Sequence, residues 1–457
     1  MKPPVRLSTW FIRRFADLER QEQRKRAWRA RREKSGGPRR VEYYHEVANP
    51  HASLTAQVIE RLAASYEIEL VPRLVGGADS RIIALQMNPE LYEPYTRKDA
   101  ADIAEHFGLS FDDPGSPPDP ALVALGNQML AGMRQQPQAM LAHCKLVNQL
   151  VWSGDTAGLQ ALIRERGLAS TGETREIIED DEAERLKLGY VYGGTFHYEG
   201  EWYPGVDRLD YLEQRLISEG ARRSPGEAAV VPRPEIRNLA PADGHSVTLE
   251  FFFSVRSPYS HLSWQRVMDL VARTGVRLQM RPVRPIVMRA PQVVAGSRPE
   301  QGRYIFLDAA REARRYGVPF RRFFDPIYRG TENAYAMYAW AEEQGKGAEL
   351  LYSATCAAFD EGQDMRRTSV LRRVVERVGL DWGQAQRELR RGHWQTPILD
   401  NERKMADAGQ WGVPSFRVSG GSLDKPFCTW GADRIWLVEA DIARRANGSG
   451  VPERAGE

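Results

Sequence analysis

Ser257 stands directly before Pro258, where a β-rich run gives way to an apolar pattern of helical spacing. A residue before proline is driven toward extended backbone, and a serine there is placed to cap the helix that follows. Its hydroxyl would lie at the positive end of the helix dipole, a position that stabilises an anion such as a thiolate. A second corner of this kind is Trp430-Gly431-Ala432-Asp433-Arg434, which precedes the last apolar stretch and would set the Ala432 amide and the Asp433 carboxylate at another helix start. Both features also read as plain architecture, a serine cap and an Asp-Arg capping and salt-bridge pattern, and an exposed pair adds little stability. Other chemistries lack their residues. Cys144, Cys356 and Cys428 form no C-x-x-C pair, so no disulfide framework, zinc site or dithiol redox centre is encoded. The 8 histidines show neither H-x-x-E-H nor H-E-x-x-H spacing, so no metal is expected, and His261 reads as structural or exposed.

The elements that must position these residues occur twice. The run VEYYHEVANPHASLTAQVIERLAASYEIELVPRLV from Val41 aligns without gaps on LEFFFSVRSPYSHLSWQRVMDLVARTGVRLQMRPV from Leu249, an offset of 208 residues. Pro50 falls on Pro258, Leu54 on Leu262, Gln57 on Gln265, Arg73 on Arg281 and Val75 on Val283. Each copy reads as strand, turn, helix with proline in its first turn, and strand; Tyr259, Leu262, Val267, Leu270 and Val271 follow the spacing of one buried helix face. A closing pair, Gly205-Val206-Asp207-Arg208 and Gly431-Ala432-Asp433-Arg434, matches at an offset of 226. Between the two ends of each copy lies a mostly helical section. The predicted architecture is α/β: two tandem thioredoxin-like domains, each with a helical insertion, preceded by a basic N-terminal helix. The expected boundaries are an arm 1–40, a domain 41–220, a Pro-rich linker 221–246, a domain 247–446 and a tail 447–457.

A chain of 457 residues with 42% hydrophobic and 27% charged residues is ordinary globular usage, which excludes collagen-like or wholly disordered classes. Its formal charge of +3 hides an asymmetry: residues 1–40 carry 14 Lys/Arg against 4 Asp/Glu, and the remainder 50 against 57. Leu7, Phe11, Phe15 and Leu18 share one face of this basic arm. Such a helix can bind a membrane surface, RNA or a protein, and its apolar stripe needs burial against this chain or the mate in a homodimer. Without aromatic platforms or a known module, the arginine clusters do not point to nucleic acid. The acidic run EIIEDDEAE from Glu176 is by default a solvated surface and is also the obvious intramolecular partner for the arm. Three dispersed cysteines, no secretory leader pattern in the first 30 residues and no run of 18 apolar residues make the expected location cytoplasmic.

The runs FFFSVRSPYSHL from Phe251, GVPSF from Gly412 and TWGADR from Thr429, with a weaker YGVPF from Tyr316, carry a resemblance. Over residues 247–446 the second copy resembles 2-hydroxychromene-2-carboxylate isomerases and kappa-class glutathione transferases, of the DsbA-like branch of the thioredoxin superfamily. The resemblance puts Ser257 where a DsbA-like oxidoreductase carries its dithiol. With Ser257 and Ser260 there instead, the chain cannot cycle a disulfide of its own but could stabilise the thiolate of bound glutathione. It further implies a cis Val413-Pro414 peptide facing the helix start, with Val413 offering backbone hydrogen bonds to the cysteinyl unit. The corner of Ala432, Asp433 and Arg434 would hold the γ-glutamyl end; kappa transferases have serine where Ala432 stands, so one hydroxyl contact is missing. Tyr259, Arg303, Tyr304 and Asn333 are the implied contacts to a carboxylated, aromatic-derived substrate; Arg303, Tyr304 and Asn333 also read as helix-start residues.

The first copy has Asn49, His51 and Ala52 in place of Ser257, Tyr259 and Ser260, and Gly194 in place of Pro414. It reads as a degenerate copy. Two functions follow: a glutathione-dependent isomerase or transferase, or a non-catalytic thioredoxin-fold scaffold recruited through its arm. Assistance to a partner's thiol oxidation ranks below both, because it needs the missing C-x-x-C.

Overall fold

The two β-α-β starts are built by the same device. Strands β1 (Arg40–His45) and β5 (Val247–Phe253) are rich in aromatic and β-branched residues and buried along most of their length, as central strands covered on both faces must be. In the computed structural model, which describes residues 9–10, 13, 17–77, 81–82, 88–234 and 244–447, β1 pairs parallel to β2 (Glu69–Leu74) and antiparallel to β3 (Thr195–Tyr198), which pairs with β4 (Glu201–Pro204). Strand β5 likewise pairs parallel to β6 (Arg277–Pro282) and antiparallel to β7 (Ser415–Gly420), which pairs with β8 (Leu423–Trp430). The sheet orders, β2-β1-β3-β4 and β6-β5-β7-β8, are the same topology.

The described residues divide into two units. The N-terminal unit takes Glu19–Pro234 and Arg298–Tyr304; the C-terminal unit takes Glu235–Ser297, Ile305–Glu457 and the residues up to Leu18. In the C-terminal unit, helix Pro258–Thr274 buries Leu262, Trp264, Val267 and Leu270. Each large apolar side chain so buried contributes roughly 1.5–3 kcal/mol. Phe251 stacks on Phe416 across the β5–β7 pair, with ring centroids 5.1 Å apart. The insertion runs through helices Pro299–Arg315, Arg329–Glu343, Gly347–Phe359, Thr368–Glu376, Trp382–Arg391 and Gln395–Asp407.

The first copy departs from the second at the same helix. Its counterpart is broken into Pro50–Ala56 and Ile59–Ser65. The Thr55 hydroxyl bonds back to the His51 carbonyl at 3.1 Å, and the Gln57 amide bonds to the carbonyls of Ser53 and Ser110, at 3.0 and 2.7 Å. Side chains that bond the local backbone in this way compete with the helix ladder.

Three expectations from sequence are corrected. The cations Lys25 and Arg32 of the arm's helix, Leu18–Ser35, take carboxylates outside the acidic run from Glu176. Arg32 bonds Glu199 at 2.6 Å and Glu219 at 3.1 Å, Lys25 reaches Glu201 at 3.0 Å, and Trp28 lies over Gly200, where an added Cβ would meet the indole nitrogen at 2.6 Å. The stripe residues Leu7, Phe11 and Phe15, and the Leu18 side chain, lie outside the described residues. Second, the acidic run is not a uniformly solvated surface: Asp181, 1% exposed, accepts from Arg73, Arg134 and the Leu74 amide at 2.7–3.1 Å. Third, the linker is anchored at Val230 and Val231, although residues 223–228 are exposed. Glu213, 1% exposed, accepts from the amides of Val230 and Val231 at 2.6 and 3.0 Å and from the Tyr66 hydroxyl at 2.9 Å, which fixes residues otherwise of linker composition.

No helix among the described residues is long and apolar enough to cross a membrane. None of the three cysteines forms a disulfide, and burial pushes the Cys356 thiol up to about 11, away from ready thiolate formation.

Candidate functional site

Ser257 has extended backbone, φ −87° and ψ 119°, and its Oγ accepts from the Ser260 amide at 3.1 Å, so it caps helix Pro258–Thr274 with proline in the first turn. The helix ends at Gly275, φ 68°, whose amide bonds Val271; only glycine takes that left-handed cap without cost. On the other side, the Ser257 hydroxyl donates to the Val413 carbonyl at 3.3 Å. The Val413-Pro414 peptide is cis. The Pro414 carbonyl in turn accepts from the Gly431 amide at 3.0 Å. Gly431 has φ 117°, and a Cβ there would run into the Asp433 carboxylate.

The Ala432 carbonyl accepts from Arg266 at 2.7 Å, two turns along the helix that Ser257 caps, and Arg266 itself lies over the Tyr316 ring at 4.2 Å. Arg434 is 4% exposed and 3.8 Å from Asp433. Ser257, Val413, Pro414, Ala432, Asp433 and Arg434 are thus tied into one corner by short contacts. The chemistry available is that of anion stabilisation: a hydroxyl that can turn from a carbonyl at 3.3 Å, at the positive end of the dipole of a 17-residue helix.

The other site candidates are placed elsewhere or are committed to other partners. Ser260 is fully buried and accepts from the Ser254 amide at 3.3 Å. The Tyr259 hydroxyl donates to Asp308 at 2.8 Å, within a pocket of packing formed by Leu262, Ala309 and Phe359. Asn333 does not open its helix, which begins at Arg329; it is buried and donates to the Met365 carbonyl at 3.0 Å. Arg303 and Tyr304 fall in the N-terminal unit. There Tyr304 packs edge-on against Tyr190 at 4.8 Å, in a cluster with Tyr44, Val75 and Trp202. Burial lowers the pKa of Arg303, and Arg24 lowers it further. His261 is structural: its ring nitrogens meet the Thr355 hydroxyl and the Pro319 carbonyl, each at 3.0 Å, and burial pushes its pKa down to about 4. Among the described residues no group of three or more His, Cys, Asp or Glu is arranged to hold a metal ion.

Sequence reasoning missed the partner of Arg256, the neighbour of Ser257. Its guanidinium forms a two-pronged bond to Asp325, at 2.7 and 3.0 Å, and the Asp325 amide donates to the Thr9 hydroxyl at 3.0 Å. Arg13 donates to the Phe323 carbonyl at 2.6 Å. The beginning of the arm therefore buttresses the loop that holds Arg256. No spacing rule could have found a pair 69 residues apart.

The corresponding corner of the first copy is filled. Asn49 spends its side chain on the Ala52 amide, at 3.1 Å, and on Glu46, at 3.3 Å. Gly193 has no side chain because Glu46 occupies its place, and Gly194, φ 61°, brings its backbone so near that a Cβ would lie 3.0 Å from the Ala52 nitrogen. Burial pushes the Glu46 pKa up to about 7, with Arg185 and the bonds from Asn49 and Gly193 pulling it back. A carboxyl whose folded pKa is raised holds its proton longer in the folded state, so its contribution to stability is lost as pH rises from about 4.5 to about 7. Relative to wild type, Glu46→Gln is expected to gain roughly 3 kcal/mol between pH 4.5 and pH 8. Urea unfolding of both proteins across that range measures the difference, from which the buried histidines cancel; a pH-independent difference would place Glu46 in an ordinary solvated state.

Residues 248–443 match the family described as DSBA-like thioredoxin domain. The chain is similar to 2-hydroxychromene-2-carboxylate isomerase of Sphingobium xenophagum, 27% identical over 201 residues that cover 42% of this chain and 96% of that protein. Among solved structures it is similar to a 2-hydroxychromene-2-carboxylate isomerase (22% identity, 43% of this chain and 95% of that one, TM-score 0.35). It is also similar to the cytosolic disulfide reductase DsbM from Pseudomonas aeruginosa (18% identity, 43% and 95%, TM-score 0.33). The β-α-β start capped by Ser257, the helical insertion and the β-β-α finish that closes on Ala432 are thus those of a DsbA-like thioredoxin domain, which residues 248–443 form, with homology to 2-hydroxychromene-2-carboxylate isomerase.

Proposed function

We propose that the C-terminal unit binds glutathione with its thiolate at Ser257 and adds it reversibly to an unsaturated, aromatic-derived substrate. The observation that carries this reading is the Ser257 hydroxyl, which caps a helix start and donates to the carbonyl before the cis proline. Thiolate addition forms a carbon–sulfur bond while the π electrons move onto the conjugated carbonyl. The former double bond is then free to rotate. Breaking the carbon–sulfur bond returns the electrons, expels the thiolate and leaves the isomer, with no net oxidation. Conjugation of glutathione to an electrophile uses the same activated thiolate and stops after addition, as in a kappa-like transferase. The homologue's name favours the isomerase.

In this reading the two units arose by tandem duplication, and cysteines without disulfides suit a reducing, cytoplasmic setting. The filled corner at Glu46 and Asn49 favours a non-catalytic, supporting role for the N-terminal unit. Calorimetric titration of the full chain with glutathione tests the assignment. Saturable binding below millimolar concentration, weakened in Ser257→Ala, is the expected result; no heat and no thermal shift at millimolar glutathione would overturn it and leave the scaffold reading.

A further inference from the structure

Arg185 lies in the last turn of helix Thr171–Lys187 of the N-terminal unit and is 2% exposed. Among the described residues its guanidinium makes no hydrogen bond. The Nε is buried without an acceptor, and the Glu182 carboxylate comes no nearer than 3.9 Å while it accepts from the Gly76 amide at 3.0 Å. Glu46, also buried, lies close enough to feel the Arg185 charge, yet its carboxyl group is turned to Asn49, at 3.3 Å, and to the Gly193 amide. Two other buried arginines of this unit are anchored: Arg97 on Glu93 and Asp113, Arg215 on Glu199, Glu201 and Glu219.

The second copy shows what packing alone requires at this place. Read back from Thr195 and Ser415, at an offset of 220 residues, Gly189 falls on Gly409, Arg185 on Met405 and Glu182 on Glu402. The contacts agree with that match: Glu402 takes the Arg284 amide as Glu182 takes the Gly76 amide, and Gly76 and Arg284 directly follow the matched Val75 and Val283. Met405 is 1% exposed and packs with Phe252, Val283 and Val413, for which the first copy has Tyr44, Val75 and Gly193. A methionine therefore fills the place, whereas a buried guanidinium there is costly unless an anion or another acceptor faces it. Departures of this kind from a sound core are expected where a site is built.

A planar guanidinium with unused donors matches a carboxylate in two-pronged geometry. The groups that face Glu46 are Arg185 and Glu182 of helix Thr171–Lys187, Asn49, the Gly193 amide, and Tyr92 of helix Pro89–Ala104. With its pKa lifted by burial to about 7, the Glu46 carboxyl has a proton to offer an incoming anion. We propose that the N-terminal unit holds a ligand site of its own, in which Arg185 receives a small carboxylate and Glu46 donates to it. This site uses residues of that unit alone and does not depend on the reading of the Ser257 corner.

The full chain, without glutathione, is titrated by calorimetry with benzoate and with its neutral analogue benzamide, beside Arg185→Met and Arg185→Lys. Wild type is expected to prefer benzoate by about 10- to 100-fold, the strength of a charge-assisted bond. Arg185→Met, which installs the residue type of the second copy, is expected to abolish that preference, and Arg185→Lys to keep part of it. The affinity of wild type for benzoate is expected to fall between about pH 6 and about pH 8, as Glu46 ionises, and that of Glu46→Gln to stay level. A merely structural arginine would lower the melting temperature on replacement by methionine and leave the preference unchanged. The same preference in wild type and Arg185→Met, or no binding of benzoate at millimolar concentration, overturns the proposal. A level pH profile in wild type, with the preference lost in Arg185→Met, overturns the part given to Glu46 and leaves Arg185 as the receptor.

Discussion

Ser257→Ala is expected to lower glutathione-dependent turnover by roughly 100- to 1,000-fold, the usual consequence of removing one donor to a reacting anion. The hydroxyl now donates to the Val413 carbonyl at 3.3 Å, a long bond that a thiolate can replace. Losing it should also raise the pKa of the bound thiol, read from the pH dependence of thiolate absorbance in the complex. The same substitution removes a helix cap, which costs about 1 kcal/mol of stability. Ser257→Thr separates the two effects, since it keeps both cap and hydroxyl. Unchanged turnover and an unchanged thiol pKa in Ser257→Ala would remove the Ser257 hydroxyl from the mechanism.

Asp325→Ala should be the most damaging substitution for stability near the site. The Asp325 side chain is fully buried and that of Arg256 is 21% exposed, so the aspartate's removal strands a desolvated guanidinium beside Ser257 and frees the Ile327 amide that also bonds it. Breaking one half of a buried pair typically costs about 3–5 kcal/mol. Replacing both partners by apolar residues, Arg256→Met with Asp325→Leu, should recover much of that loss, because the pair repays little more than its own desolvation. Denaturant unfolding of the two variants and wild type measures this. A loss below about 1 kcal/mol in Asp325→Ala would mean the pair is solvated and behaves as a surface bridge.

What the sequence disclosed and what it hid follow from how information is stored along a chain. The gapless match between Val41 and Leu249 onward exposes both β-α-β starts, because strand and helix periods are local. Ser257 and the Gly431 corner were legible for the same reason: each lies directly before the helix it serves. The partners of these residues were not. Arg256 finds Asp325 across an insertion of unconstrained length, and Glu46 is buried by the absence of a side chain at Gly193, nearly 150 residues away. Arg303 and Tyr304 show the opposite failure, since a helix-start position says nothing about which unit the first turn packs into. The arm's cations also chose Glu199, Glu201 and Glu219, at and near the β3–β4 turn, over a denser acidic run. Geometry decided between partners that charge counting could not rank.

The order of the second sheet carries a consequence for how the chain is made. Phe251 of β5 faces Phe416 of β7, so the central, most apolar strand gains its second neighbour only after the whole helical insertion has been synthesised. At 5–20 residues per second, that delay is on the order of 10–30 s on the ribosome. Contacts of such long sequence separation also close slowly by themselves. The nascent VTLEFFF segment would therefore stay open along that edge to chaperones, or to another nascent chain, while the insertion is made.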